Sequence, residues 1–288
     1  QAGLQPYIVF LNDVTKKNGK LKGRWIRDKG NSKYSNQAFE NLYIKERFKK
    51  KIYREISKSE VSEEKKYKYS GLTFLLYPQI VENLSGVKYS KYLRTHFYDP
   101  LGNMTMGFKP KTKNLSNAIV PTEIDTLFRN SLTKDWVHDE NAALMGGVSG
   151  NAGLFATAED LARLMQLYMN YGVYGGKRYL EEETLKEFTK VQYPENENRR
   201  GLGFDKPFLG NDTLKLKDAY PAPQASPESF GHSGFTGTFV WADPKNQLVF
   251  IFLSNRVYPS RSHRNLYDLN IRTALHSVFY EAQQTISN

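Results

Sequence analysis

The chain has 288 residues, 39% hydrophobic and 25% charged, so it can bury a core and its composition is not that of a disordered segment. It lacks cysteine, which excludes disulfides, thiolate metal sites and a cysteine nucleophile, and no apolar run reaches the length of a bilayer span. The formal net charge is +11, and residues 16–68, with 18 Lys/Arg against 7 Asp/Glu, account for all of it.

Residues 1–68 are polar, rich in Lys and Tyr and weakly periodic, with turns at Asn18-Gly19 and Lys29-Gly30-Asn31. They read as a basic, loop-rich insertion region of the same domain. A short helix is expected around 37–56, with Phe39, Leu42, Tyr43 and Phe48 on its apolar side. Residues 69–288 form the main part of the domain. Near-helical spacing of Phe74, Leu75, Tyr77, Ile80, Val81 and Leu84 predicts a helix over 73–84, followed by a short one at about 88–98. Residues 157–171 give the clearest helix, capped by Thr157, with Glu159 and Asp160 in its first turn and Leu161, Leu164, Met165 and Tyr168 as its stripe. Another helix is expected at about 181–190. Phe235–Ala242 and Leu248–Leu253, joined by the turn Asp243-Pro244-Lys245-Asn246, predict an antiparallel hairpin, the second run reading as a buried central strand. Residues 264–284 read as helical, with Leu266, Leu269, Ile271, Leu275, Val278 and Phe279 facing the sheet. The order implies an α+β fold with helices against an antiparallel sheet.

Three segments carry chemistry. A tyrosine at a helix start beside a lysine can act as a general base toward a serine hydroxyl, and Tyr69-Ser70-Gly71 offers one; a tyrosine packed at a helix entry is the alternative. Gly231-His232-Ser233-Gly234-Phe235-Thr236-Gly237-Thr238 combines small residues that admit a substrate with backbone N–H donors for an oxyanion, while His232 and Ser233 can bind a substrate carboxylate; a glycine-rich strand entry is the alternative. Gly146–Phe155 is glycine-rich but lacks a Gly-Lys-Ser/Thr ending, so a tight wall beside a cleft fits better than a phosphate loop. Three adjacent residues cannot converge on one ion, so His138-Asp139-Glu140 reads as structural hydrogen bonding and no metal is expected. The basic segment reads as a solvated insertion or as a surface attracted to an anionic envelope polymer. No zinc-finger, RRM or KH pattern supports nucleic acid as a partner.

Taken in order, Tyr69-Ser70 before a helix, Pro121-Thr122-Glu123-Ile124-Asp125, Val137–Ala142, the Gly146–Phe155 run leading into Ala158-Glu159-Asp160-Leu161-Ala162, and His232-Ser233-Gly234 before an Asp-Pro turn resemble the β-lactamase and penicillin-binding-protein superfamily, in its esterase-like branch. That branch also occurs fused behind family 3 glycoside hydrolases (N-acetylglucosaminidases) in bacteria. The resemblance covers residues 69–284 and extends to Gln1-Ala2-Gly3-Leu4, similar to the tail of the family's His-x-x-Gly-Leu segment. It implies a β-lactamase-like antiparallel sheet flanked by helices, a serine hydrolase acting on peptide, amide or ester bonds of peptidoglycan-type substrates, no cofactor, and a bacterial envelope or periplasmic location. Tyr69 would be the proton shuttle and His232 the counterpart of the third-motif lysine. Ser233, Gly234, Ser70 and Gly71 would line the substrate site, and the Phe235 N–H would be an oxyanion donor. The family usually has Asn or Asp where Gly71 stands.

The family's Ser-x-x-Lys nucleophile motif should precede Gln1–Leu4, so the chain reads as N-terminally truncated, inactive alone and, with its first strands missing, able to self-associate through an exposed sheet edge. Ser62–Lys65, Ser85–Lys88 and Ser131–Lys134 match the string but not the order or the buried-helix context. A non-catalytic binding or scaffolding module attached to an upstream N-acetylglucosaminidase is the alternative.

Overall fold

Phe48, Ile52 and Ile56, spaced four apart, form the buried stripe of a helix in the computed structural model, which describes residues 3–16, 18–63, 67–110 and 118–287. Gln1, Ala2 and Lys65, used in the sequence reading, lie outside the described residues. The chain divides into two compact units, residues 1–156 and 157–288.

The first unit runs through α1 (Leu11–Val14), β1 (Ile26–Arg27), β2 (Asn36–Phe39), β3 (Leu42–Ile44), α2 (Phe48–Ser57), a 3-10 turn at Thr73–Leu76, α3 (Tyr77–Ser85) and α4 (Tyr89–Leu93), which passes into a π turn at Arg94–Tyr98. It ends with β4 (Glu123–Asp125), β5 (Ser131–Thr133) and α5 (Glu140–Leu144). Strands β1, β3 and β2 form an antiparallel sheet in that order. The helix expected over 37–56 is therefore a hairpin followed by a helix. The chain reverses between Phe39 and Leu42, which face each other, and only from Phe48 does the period become helical. Ile26, Ile44, Phe48 and Ile52 share one core with Leu72, Leu75, Phe128 and Ala142–Met145, so the basic region and the residues after it bury apolar area together.

The second unit holds α6 (Ala158–Met169), β6 (Val173–Tyr174), β7 (Lys177–Arg178), α7 (Glu182–Thr189), β8 (Phe230–Ser233), β9 (Phe239–Asp243), β10 (Leu248–Phe252), α8 (Asn265–Asp268) and α9 (Ile271–Ser287). The Thr157 hydroxyl accepts the Asp160 N–H at 3.3 Å, the expected cap of α6. The predicted hairpin is present, with Leu248 opposite Asp243 and Phe252 opposite Phe239. Its first strand starts at Phe239 because residues 234–238 form the loop from β8.

Among the described residues the order β10-β9-β8 puts β9 in the centre and β10 at the edge, where the sequence reading takes Leu248–Leu253 as a central strand. Its apolar run reflects helices on both faces. Met165 and Met169 of α6 pack with Phe230, Ala242, Val240 and Val249, while His276 of α9 stacks on Phe250 and meets Phe239. The expected packing face of α9 is also corrected. Leu269 and Val278 are 68% and 55% exposed, and the buried residues of α9 are Thr273, His276, Ser277 and Tyr280; of the expected set Leu266 is buried, and Phe279, though half-exposed, meets Phe250 of the sheet at 5.2 Å.

Candidate active site

Strand β8 carries His232 and Ser233, and pairing with β9 sets their directions. His232 opposes Val240 and so points to the α6 face, while Ser233 opposes Phe239 and points to the α9 face. On its other side β8 exchanges hydrogen bonds with Asp205 through Gly231, at 2.8 and 3.0 Å. Gly231 is required by the fold, since a Cβ there would lie 2.1 Å from the Val240 oxygen and 2.4 Å from the Trp241 ring. A Cβ at Gly234 would lie 2.3 Å from the Thr238 hydroxyl. At these two positions the vacant Cβ direction is taken by the protein's own chain rather than by an approaching substrate.

The protonation of His232 follows from its partners. Arg200 Nη2, which can only donate, lies 3.2 Å from His232 Nε2, so Nε2 accepts and the ring proton sits on Nδ1. Nδ1–H then donates to the Ser233 carbonyl at 2.8 Å. Burial lowers the imidazole pKa and the Arg200 charge lowers it further, against an opposing pull from Asp205. His232 is a neutral imidazole with both nitrogens engaged.

Sequence reasoning missed the residues around it. Arg200 donates to Asp205 Oδ1, Arg199 pairs with the same oxygen at 3.2 Å, and Tyr220 donates to Asp205 Oδ2 at 2.9 Å. Tyr220 is also in hydrogen-bond contact with the Ser233 side chain; burial and the neighbouring Asp205 carboxylate raise its pKa. The signal was available in Arg199-Arg200-Gly201-Leu202-Gly203-Phe204-Asp205-Lys206, four charges and two glycines in a part of the chain that is neutral overall. Buried Lys206 donates to the Glu228 carbonyl at 2.8 Å, and desolvation lowers its pKa to about 8.

The loop after β8 is pinned from outside. Gly234 N–H donates to Thr238 O at 2.8 Å, and the Phe235 carbonyl accepts from Arg256 Nε at 3.0 Å and the Tyr267 hydroxyl at 3.2 Å. The Arg256 guanidinium lies 4.6 Å from the Phe235 ring centre, and the ring itself is exposed.

Tyr69, Ser70 and Gly71 belong to the first unit, immediately before the 3-10 turn. Tyr69 is 45% exposed, whereas Ser70 is buried and donates to the Gln5 carbonyl at 2.8 Å. Ser70 is therefore tied to the backbone rather than presented to a substrate. Gly150 of the glycine-rich run packs against this turn, where a Cβ would stand 2.2 Å from the Phe74 oxygen. His138, Asp139 and Glu140 diverge. His138 Nε2 lies 2.6 Å from buried Glu123, and Asp139 caps α5 by accepting the Ala142 N–H at 2.7 Å. Among the described residues no group of three or more His, Asp or Glu could hold a metal ion, and no helix is long and apolar enough to cross a membrane.

Among the described residues no Ser-x-x-Lys string has its serine and lysine in one helix. Ser62 is in a loop, Ser131 begins a strand, and Ser85 ends α3, where Gly86 at φ +71° stops the helix before Lys88.

Comparison with known proteins identifies the family and the fold. The Beta-lactamase family model matches residues 29–274. Relatives from Salmonella heidelberg strain SL476 and Salmonella gallinarum strain 287/91 are 32% and 33% identical over 207 residues, 66% of this chain and 45% of theirs. Their names propose a D-alanyl-D-alanine carboxypeptidase. The chain thus spans less than half the length of these relatives. Two solved structures share the fold. The octameric penicillin-binding protein homologue from Pyrococcus abyssi has a TM-score of 0.51 at 19% identity, covering 77% of this chain and 46% of that one. Simvastatin synthase from Aspergillus terreus has a TM-score of 0.52 at 17% identity, covering 78% and 58%. With a family match running from just after β1 into α9 and the fold shared with these structures, the chain belongs to the β-lactamase family.

Proposed function

We propose that this chain supplies the Tyr69 and His232 parts of a serine hydrolase that cleaves peptide, amide or ester bonds in cell-wall-type substrates of a bacterial envelope. The observation that carries the reading is the His232–Arg200 pair. By the resemblance, the family places a lysine or a histidine where His232 stands. Here the imidazole is neutral, and the buried Arg200 guanidinium 3.2 Å behind it supplies a permanent positive charge beside that position.

In this reading a serine Oγ attacks the substrate carbonyl carbon and its proton passes to Tyr69 Oη. The oxyanion is received by backbone donors that include the Phe235 N–H. Collapse expels the amine or alcohol, which takes the proton from Tyr69, and water then repeats the sequence to release the acyl group. His232 holds the end of β8 through the Ser233 carbonyl, so that the backbone at Ser233 and Gly234, rather than the vacant side of Gly234, lines the acyl group. Among the described residues Ser85–Lys88 and Ser131–Lys134 do not lie within one helix and Ser62 sits in a loop, so the reading assigns the nucleophile to residues outside these 288.

The test compares the full-length protein with the 288-residue chain on a p-nitrophenyl ester, a chromogenic β-lactam and a stem peptide ending in D-Ala-D-Ala. The expected result is turnover by the full-length protein that Tyr69→Phe lowers by roughly 10²–10⁴-fold, and no burst from the chain alone. A burst from the chain that Tyr69→Phe abolishes would refute the external nucleophile. Full-length turnover indifferent to Tyr69→Phe and to His232→Ala would refute the catalytic roles.

A second reading, a binding or scaffolding module behind an upstream N-acetylglucosaminidase, is favoured by Gly71. A Cβ at Gly71 meets nothing within 4 Å, so packing does not forbid the family's Asn or Asp there, and the substrate-orienting group is nonetheless absent. Retention of an inactive full-length protein on insoluble peptidoglycan would support this reading.

A further inference from the structure

Helix α2 has two faces. Phe48, Ile52 and Ile56 are buried, and Arg47, Lys50, Lys51 and Arg54, spaced i, i+3, i+4 and i+7, form a stripe on the other side. That stripe lines a cleft of about 730 Å³ together with Lys22, Arg24, Trp25 and Asp13. Six cations thus meet one carboxylate, and Asp13 is paired with Lys51 at 2.7 Å. Among the described residues Arg24, Arg47 and Lys50 pair with no carboxylate, and all three are exposed.

The cations are held together rather than dispersed. Arg24 Cζ, Arg47 Cζ and Lys45 Nζ lie 5.2, 5.7 and 5.8 Å from the centre of the Trp25 ring, and Phe48 packs 5.3 Å from it. Like charges gathered around one indole repel, and an anion in the cleft relieves that repulsion. A planar carboxylate is satisfied by one guanidinium fork. A phosphate presents oxygens in several directions and can accept from more than one cation at once, and Arg24, Arg47 and Arg54 all line the cleft. The indole is already surrounded by three cations and Phe48, so it is poorly placed to stack a nucleobase.

We propose that this cleft binds a phosphate-bearing linear polyanion through its backbone charge, without reading bases. The site is independent of the hydrolase reading.

The test titrates the whole chain with fluorescent inorganic polyphosphate, poly-L-glutamate and oligo-dT of matched charge, at several salt concentrations. The expected result is tightest binding to polyphosphate, weakened at least about 10-fold in an Arg24→Gln, Arg47→Gln, Lys50→Gln triple variant, with a salt slope shallower by about 2 for three lost phosphate contacts. Lys215→Gln, Lys217→Gln, Lys245→Gln removes the same charge from exposed sites of the second unit and should change affinity less than about 3-fold. Equal weakening by the two triples would reduce the effect to net charge and overturn the site. Poly-L-glutamate binding as tightly as polyphosphate would overturn phosphate recognition. Tighter binding of oligo-dT would overturn charge-only reading and make the cleft a nucleic-acid site. The three cleft side chains are exposed, so folding is expected to survive; an Arg54→Gln single variant, weakening polyphosphate by a smaller factor, is the check if it does not.

Discussion

Helices α6 and α9 cover opposite faces of one three-stranded sheet and obey different rules. Helix α6 buries Met165, Leu167 and Met169 and meets the Val240 and Ala242 side of the sheet with apolar surface. Helix α9 buries Thr273, His276, Ser277 and Tyr280, at i, i+3, i+4 and i+7, and leaves Leu275 and Val278 exposed, while half-exposed Phe279 meets Phe250 of β10. The inversion has a cause at the β9–β10 turn. The buried Asp243 carboxylate accepts from the Ser226 N–H at 2.9 Å, the Asn246 side chain at 2.8 Å and the Tyr280 hydroxyl at 2.7 Å. A buried carboxylate needs such donors, so the helix face that supplies one turns inward. Hydropathy periodicity finds a helix packed on apolar area and misorients one organised around a buried charge.

The sharpest way to break this contrast is His276→Phe. The imidazole is fully buried, stacks on Phe250 at 4.6 Å, and neither ring nitrogen has a hydrogen-bond partner among the described residues. Burial lowers its pKa from 6.5 to about 3. The unfolded chain therefore takes up a proton as pH falls through 6.5 while the native state does not, so this contribution is intact above pH 6.5 and is lost progressively toward pH 3. A shift of that size corresponds to on the order of 5 kcal/mol at most. His276→Phe should match or exceed wild-type stability at pH 7, and the difference from wild type should widen on acidification. Asp243, with its pKa lowered by hydrogen bonds that outweigh burial, loses stability at lower pH in both proteins, so the difference isolates His276. Parallel pH–stability curves in chemical denaturation would refute the assignment.

On the apolar helix the comparable test is Met165→Ala. Met165 is 3% exposed and packs with Met169, Phe230 and Ala242. Truncation should cost about 2–5 kcal/mol through lost burial and a cavity, with no pH dependence between 4 and 7. A pH-dependent loss would mean that α6 also rests on a titrating group.

The same contrast explains what was legible. Helix α6, its Thr157 cap and the Asp243–Leu248 hairpin turn were readable because local signals and burial agree there. The hairpin at 36–44 was not, because Phe39, Leu42 and Phe48 also fit a helical period and the reversal at Glu40-Asn41 carries no glycine or proline. At the candidate site, the composition of the Gly231–Thr238 segment marked His232 and Ser233. The partners Arg199, Arg200, Asp205 and Tyr220 are distant in sequence and bear on His232 only through the Asp205–Gly231 pairing, a tertiary fact. Neither the tautomer of His232 nor the tether of Ser70 to Gln5 has a signature in a motif.

A smaller effect probes a signal that sequence and structure share. Thr157→Ala removes the hydroxyl that accepts the Asp160 N–H and should cost about 1 kcal/mol, read as a lower denaturation midpoint with unchanged slope. Thr157→Ser should recover most of it. A loss shared equally by Ala and Ser would point to packing of the Thr157 methyl rather than to capping.

The smallest expected effect bears most directly on α9. Val278 belongs to the apolar set that periodicity assigns to the sheet, yet it is 55% exposed. A lysine there keeps its stem along the helix and its ammonium in water. Val278→Lys should therefore change stability by no more than about 0.5 kcal/mol, the range of ordinary surface substitutions. The same substitution at Met165 would bury a charge. If Val278→Lys instead lost more than about 2 kcal/mol, that face of α9 would be a packed surface, and the inversion between the two helices would be removed.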